Sequence, residues 1–179
     1  KLRAFQVPYA SRTAKGLPIV NLLNFSEGEK LAAVLNINEK EDKEGFFIFA
    51  TRQGLIKKTE VAAFQNIRTN GIKAILLNDD DELFQVALTD GEKDIILGAS
   101  NGKAIRFSES DVRPMGRISA GVRGILVSGK DKVVGMAIIN TDGDEIVIVT
   151  DKGYGKRTNV DAFRVQVRGG KGVKALNLT

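Results

Sequence analysis

Three features of this sequence predict an all-β fold assembled from repeated four-stranded units. Short runs rich in Val, Ile, Leu and Phe recur along its whole length, turn signals separate them at regular intervals, and the pattern repeats about every 50 residues. Such a period fits a propeller-like array of blades.

Two motifs carry the period. A small-residue turn followed by a basic strand occurs at 50–58, 99–107 and 149–157, with Gly54, Gly102 and Gly153 spaced 48 and 51 positions apart. A loop pairing Arg or Lys with glycine precedes an apolar alternation at 12–16, 68–71, 117–121 and 168–172, with Gly16, Gly71, Gly121 and Gly172 at spacings of 55, 50 and 51.

In chain order, residues 2–5 and 19–23 supply the latter half of a repeat. The first whole repeat reads as strands over 31–37, Phe46–Thr51, 55–58 and 72–77. The second reads as 84–88, Asp94–Ala99, 103–107 and 122–127, with Thr89-Asp90-Gly91-Glu92 as an Asp-Gly hairpin signal between its first two strands. The third reads as Val133–Ile139, 145–150, 154–158 and 173–178. Residues 1–23 then form half a blade, and 24–78, 79–128 and 129–179 one blade each. Several strands are apolar on both faces, as expected where one blade packs against the next. A start at Lys1 with half a repeat leads us to expect a piece of a larger ring, with edges at 2–5 and 173–178 open to self-association.

Composition narrows the chemistry. The 179 residues include neither cysteine nor histidine, which excludes disulfides, zinc sites using those ligands, and Ser-His-Asp or Cys-His nucleophilic systems. No apolar run is long enough to span a membrane as a helix. The formal net charge is +5, with carboxylates gathered at 39–44 and 79–82 and cations at 52–58, 113–123 and 164–174. If the fold separates these segments, one rim is far more basic than the sum.

A single Gly-rich basic loop is best read as a hairpin turn. Four in register form a track that a polyanion can follow from blade to blade. Arg12, Lys15, Arg68, Arg117, Arg123, Arg168, Lys171 and Lys174 are the leading candidates for phosphate contact. Arg52, Lys57, Lys58, Lys103, Arg106, Lys156 and Arg157 form a second rank, for which solvating a strand face is the alternative role. Such contacts hold phosphates rather than read bases, so the expected binding is sensitive to salt and weakly selective for sequence.

Rival readings fit less well. Asp79-Asp80-Asp81-Glu82 offers carboxylates to a hydrolytic propeller, yet consecutive acids after Asn78 suit an exposed turn and lack the spacing of a calcium loop. A Trp-Asp interaction propeller is excluded by the absence of tryptophan. Gly116 and Gly121 have Walker A spacing, but Val122-Arg123 follows where Lys and Ser or Thr are needed. Tyr154 lies between glycines and suits a hairpin edge, and Phe46-Phe47-Ile48-Phe49 suits a core better than base stacking.

Gln166-Val167-Arg168-Gly169-Gly170-Lys171-Gly172 resembles the heptapeptide box of the DNA gyrase A protein, Gln-Arg-Arg-Gly-Gly-Lys-Gly, with Val167 replacing the first arginine. The stretches 11–23, 106–117 and 153–158 are similar to successive blade motifs of the same C-terminal domain, so the resemblance runs along essentially the whole chain. It implies a β-pinwheel, in which neighbouring blades exchange strands, here an incomplete ring that bends and wraps double-stranded DNA to support ATP-dependent negative supercoiling. It also implies a bacterial cytoplasmic setting and a complex of two gyrase A proteins with the gyrase B protein. ATP and magnesium act elsewhere in that complex, and this chain is expected to hold no cofactor, metal or catalytic site. The box belongs to the family's first blade, so the copy at 166–172 is expected to be a secondary one. The equivalent domain of topoisomerase IV is the nearest alternative.

Overall fold

The computed structural model describes residues 2–23, 25, 27–38, 41–67, 71–140 and 143–178. Among them are ten β-strands, five short 3₁₀ turns and no α-helix. The strands are β1 (Phe46–Thr51), β2 (Leu55–Glu60), β3 (Leu83–Thr89), β4 (Asp94–Ala99), β5 (Lys103–Ser108), β6 (Val122–Arg123), β7 (Val133–Ile139), β8 (Glu145–Val149), β9 (Gly155–Asn159) and β10 (Val173–Lys174).

Hairpins form at the small-residue turns, joining β1 to β2, β4 to β5 and β8 to β9. The sheets straddle the sequence repeats. One has the order β3-β1-β2-β6, the next β10-β5-β4-β7, and the third contains β8 and β9. Each four-stranded sheet therefore takes its central hairpin from one repeat and both outer strands from the following one, the strand exchange of a β-pinwheel.

This exchange corrects the hairpin expected at Thr89-Asp90-Gly91-Glu92. β3 pairs with β1, with Phe46 opposite Thr89, whereas β4 pairs with β5 and β7 in the next sheet. The Asp-Gly segment is a crossover between sheets, and Gly91 (φ 101°) turns directly against the Phe46 ring.

Other expected strands are shortened or missing. Of 122–127 and 173–178, only Val122–Arg123 and Val173–Lys174 enter a ladder. The described residues of 2–5, 19–23, 31–37 and 72–77 belong to no strand; Ala4–Gln6 and Ile19–Asn21 are 3₁₀ turns. Residues 31–37 keep a strand-like alternation, with Leu35 and Ile37 packed inward and Val34 exposed. Strand character needs a continuous run of backbone hydrogen bonds to a neighbour, and where these segments meet one they make isolated bonds, such as Leu76 N to Ser119 O, in place of a ladder.

The core lies between sheets. Ile48, Ala50 and Ile56 of the first sheet meet Ile95, Leu97, Ile105, Phe107 and Val133 of the second. Ile96, Ala104 and Ile139 on the opposite face of the second sheet pack with Val160 and Phe163, against which Ile146 and Ile148 of β8 rest. Phe47, Phe49, Val61 and Ile75 form a further cluster on the outer face of the first sheet. Apolar contact on both faces explains why β1 and β4, the first strands of the central hairpins, read as continuous apolar runs.

Candidate nucleic-acid interface

After β5 and β9, the chain makes a 3₁₀ turn (Glu109–Asp111, Val160–Ala162) and runs as a strap along the second strand of the preceding sheet's central hairpin, β2 or β5. The first strap, 112–121, forms a parallel bridge from Pro114 to Lys58, donates Met115 N to Lys58 O, and ends in β6. The second, 163–172, repeats this with Val165 bridged to Arg106, Gln166 N donating to Arg106 O, and β10 at its end. Gly172 (φ 70°) crosses so close to β5 that a Cβ would collide with Ala104 O.

The second strap is tied to the residues on either side of the first, at Asp111 and at β6 and the segment after it. Gly169 N donates to Gly124 O at 2.6 Å, and Leu126 N donates to Gly170 O at 2.8 Å. Arg168 donates through Nε to Asp111 O at 2.9 Å and through Nη1 to Arg123 O at 3.0 Å. Arg117 makes the corresponding contact one repeat earlier, donating Nη1 to Ala63 O at 3.1 Å. These half-buried arginines brace neighbouring repeats as well as carrying charge. From 113 to 123 and from 164 to 174 the chain carries seven cations and no carboxylate. Arg123, Lys171 and Lys174 are exposed. Arg113, Arg164 and Lys73 are exposed too and were missing from the sequence candidates. Repeat register identifies them: Arg113 matches Arg164 across 51 positions, and Lys73 precedes Arg123 and Lys174 in one column.

Several second-rank cations prove to be internal. Lys57 is fully buried: its Nζ donates to the carbonyls of Ala74 and Arg117, and desolvation draws its pKa from the usual 10.5 down to about 8. Lys58 is buried against Glu109, with Nζ 3.5 Å from Oε2, and Glu109 also accepts from Thr89 Oγ1 and Lys93 N. Arg106 is buried, pairing through Nε with Asp94 at 2.8 Å and donating Nη1 to Val160 O. Lys57 lies beneath the first strap at Arg117, whereas Lys58 and Arg106 turn their side chains to the 3₁₀ turns at Glu109 and Val160 that lead into the straps. Arg52 is half-buried, donates to Val133 O in the next sheet and lies 4.3 Å from the Phe84 ring centroid.

The other candidates are dispersed. Lys103 is half-buried opposite Lys174 in the β5–β10 ladder. Lys156 and Arg157 are exposed on β9, with Arg157 3.3 Å from Glu145. Arg12 and Lys15 are exposed, and among the described residues no hydrogen bond ties them to the straps. Arg68 lies outside the described residues. Within the box, Gln166 is half-buried, Val167 is 81% exposed, Gly169 (φ 84°) and Gly170 form the turn beside Arg123 and Ile105, and Lys171 points to solvent.

The rival carboxylates are turn elements. Asp81 Oδ1 accepts from the backbone N–H groups of Gln53 and Glu82, and Asp79, Asp80 and Glu82 are exposed. Among the described residues, no helix is long and apolar enough to cross a membrane.

A family model described as the DNA gyrase C-terminal domain, beta-propeller, matches residues 1–38, 46–90, 93–140 and 144–179. The chain belongs to this family. It is 42% identical over its whole length to the DNA gyrase A protein of Staphylococcus epidermidis and 48% identical over 97% of its length to that of Haloquadratum walsbyi, spanning 20% and 21% of those proteins. Among solved structures, it resembles the C-terminal domain of DNA topoisomerase IV with a TM-score of 0.82 and 32% identity, over 89% of this chain and 49% of that one. It resembles the DNA gyrase A C-terminal domain with a TM-score of 0.78 and 26% identity, over 89% and 53%.

Proposed function

We propose that this chain is a DNA-binding part of the gyrase A protein, bending and wrapping duplex DNA along the rim formed by its straps to support ATP-dependent negative supercoiling. The observation that carries this reading is the joining of two straps, with seven cations and no carboxylate, into one continuous edge. Lys103 and Lys174 stand directly opposite each other, an unfavourable like-charge pairing that a polyanion relieves. Arg123, Lys171, Lys174, Arg113 and Arg164 supply the reachable charge, and Arg117 and Arg168 hold the edge in shape. Contacts of this kind grip phosphates and leave sequence largely unread.

In this reading the chain contributes no catalytic group and binds no cofactor. ATP, magnesium and strand cleavage belong to the parent complex of two gyrase A proteins and the gyrase B protein. The topoisomerase IV equivalent is the second reading, favoured by the higher TM-score of its C-terminal domain; the full-length matches at 42% and 48% identity favour gyrase.

Duplex affinity measured across a salt series tests the reading. The logarithm of the binding constant is expected to fall linearly with that of salt, by about 0.9 for each phosphate held. Arg123→Ala and Lys171→Ala should each reduce the slope by roughly one, whereas Asp80→Ala and Glu82→Ala should leave affinity unchanged or slightly higher. Binding indifferent to salt overturns it.

A further inference from the structure

The two straps differ at one register. Gly121 of the first strap matches Gly172 of the second, which sets Ile118 against Gly169, and in the hairpins beneath them Lys57 matches Ile105. In the second strap Gly169 has φ 84° and donates its N–H to Gly124 O, while Gly170 lies beside Ile105. A β-branched residue adopts that backbone conformation only under strain. Ile118 does not adopt it, and the buried Lys57 makes the link instead: its Nζ donates to Ala74 O, the counterpart of Gly124 O, and to Arg117 O. Leu76 N donates to Ser119 O as Leu126 N does to Gly170 O, so the straps otherwise keep the same course. Isoleucine for glycine on the strap is thus matched by lysine for isoleucine beneath it.

Burying a lysine is unfavourable. Here it supports a turn that displays an apolar side chain to water, because Ile118 is 71% exposed. The backbone on both sides of it is anchored inward. Arg117 donates to Ala63 O and accepts from Lys57, while Ser119 donates Oγ to Gly116 O and accepts from Leu76 N. A lone exposed apolar residue is ordinary on a protein surface. One held out by a buried lysine, in a stretch that carries Arg113, Arg117 and Arg123 and no carboxylate from 113 to 123, faces a polyanion. We propose, resting on the DNA-binding reading above, that Ile118 is a wedge that enters the minor groove of the bound duplex and parts two stacked base pairs, so that the DNA kinks at the first strap.

Apolar wedges of this kind, isoleucine among them, partly unstack a base step and kink the duplex by about 20–90°. Ile118 is suited to it, since its χ1 is stiff and insertion removes little rotamer freedom. The exposed Arg113 and Arg123 hold phosphates on either side and carry no sequence information. The wedge adds a preference of another sort: pyrimidine–purine steps such as TpA unstack most readily, so they settle at Ile118 without any hydrogen bond to a base edge. Gly169 puts no side chain at this register of the second strap, which leaves the kink to the first.

A duplex with one central TpA step, its adenine replaced by 2-aminopurine, brightens when that step unstacks, and an otherwise identical duplex with GpC at the step competes for binding. The 179-residue chain should raise the fluorescence and bind the TpA duplex roughly tenfold more tightly than the GpC duplex. Ile118→Ala should lose both effects at unchanged melting temperature and unchanged salt slope, because the side chain is exposed and uncharged. Ile118→Leu, which keeps a wedge, should retain them. Brightening or step preference that survives in Ile118→Ala overturns the proposal. So does salt-dependent binding by the unmodified chain without brightening, an outcome that leaves the phosphate grip of the rim standing. Binding indifferent to salt overturns the DNA-binding reading itself, and the wedge with it.

Discussion

Replacing Gly172 by alanine probes the close approach that seats the second strap. The residue has φ 70°, where an L side chain costs roughly 1–2 kcal/mol. An added Cβ would also overlap Ala104 O and lie 2.7 Å from its carbonyl carbon, so one backbone must move. That displacement breaks the short β10 pairing at Val173–Ala104 and loosens the Ala175 N bond to Gly102 O, at about 1 kcal/mol for each hydrogen bond lost. The expected destabilisation is about 3–4 kcal/mol, read as a lower urea midpoint at unchanged m-value. Gly129→Ala is the control: its φ is 63° with nothing within 4 Å, so it should lose only about 1–2 kcal/mol. Equal losses for the two variants, within about 0.5 kcal/mol, would refute the steric reasoning.

Three other outcomes are expected. Lys58→Met should destabilise by about 3–5 kcal/mol because it leaves Glu109 charged and buried, and Lys58→Met with Glu109→Gln should recover much of that in the same urea titration. Val167→Arg places a cation at an exposed tip between Arg164 and Arg168, so duplex affinity should rise and the salt slope steepen by about one; an unchanged slope would place the tip off the DNA path. Lys57 releases its proton near pH 8 when folded and near 10.5 when unfolded. The unfolded chain binds more protons between those values, so Lys57 adds stability that rises from about pH 8 to 10.5 and is absent below. The urea midpoint of the wild type should therefore climb relative to Lys57→Met across that interval, and parallel curves would count against the shift.

The strand pairs joined by small-residue turns were legible at nearly residue level: Phe46–Thr51 and Asp94–Ala99 are strands with those bounds, as is the outer strand Val133–Ile139. Each turn places glycine with positive φ where the ladder reverses, and the flanking residues alternate or run apolar. The Asp-Gly segment at 89–92 carries the same local signal and makes no hairpin. A turn dipeptide specifies chain reversal, not which sheet receives the next strand. The phenylalanines at 47 and 49 were legible as core for a related reason, since aromatic residues in an unbroken apolar run leave no solvated face.

The candidate interface was legible in part. Repeat register alone identified Arg117, Arg168, Arg123 and Lys174 as equivalent basic positions, and could have added Lys73, Arg113 and Arg164. Composition cannot separate a cation on an exposed rim from one buried beneath a strap or against a 3₁₀ turn: Lys57, Lys58 and Arg106 read in sequence like Lys156 and Arg157 on β9. Local pattern, period and charge depend on neighbours along the chain, so the sequence by itself determined the all-β class, the spacing of its hairpins and the recurrence of basic loops. Only the tertiary structure decided that the first two hairpins borrow both outer strands from the next repeat and that the straps and their 3₁₀ turns bury one set of cations while another lines a continuous edge. Those outcomes rest on backbone hydrogen bonds and close contacts between residues tens of positions apart, for which no local signal exists.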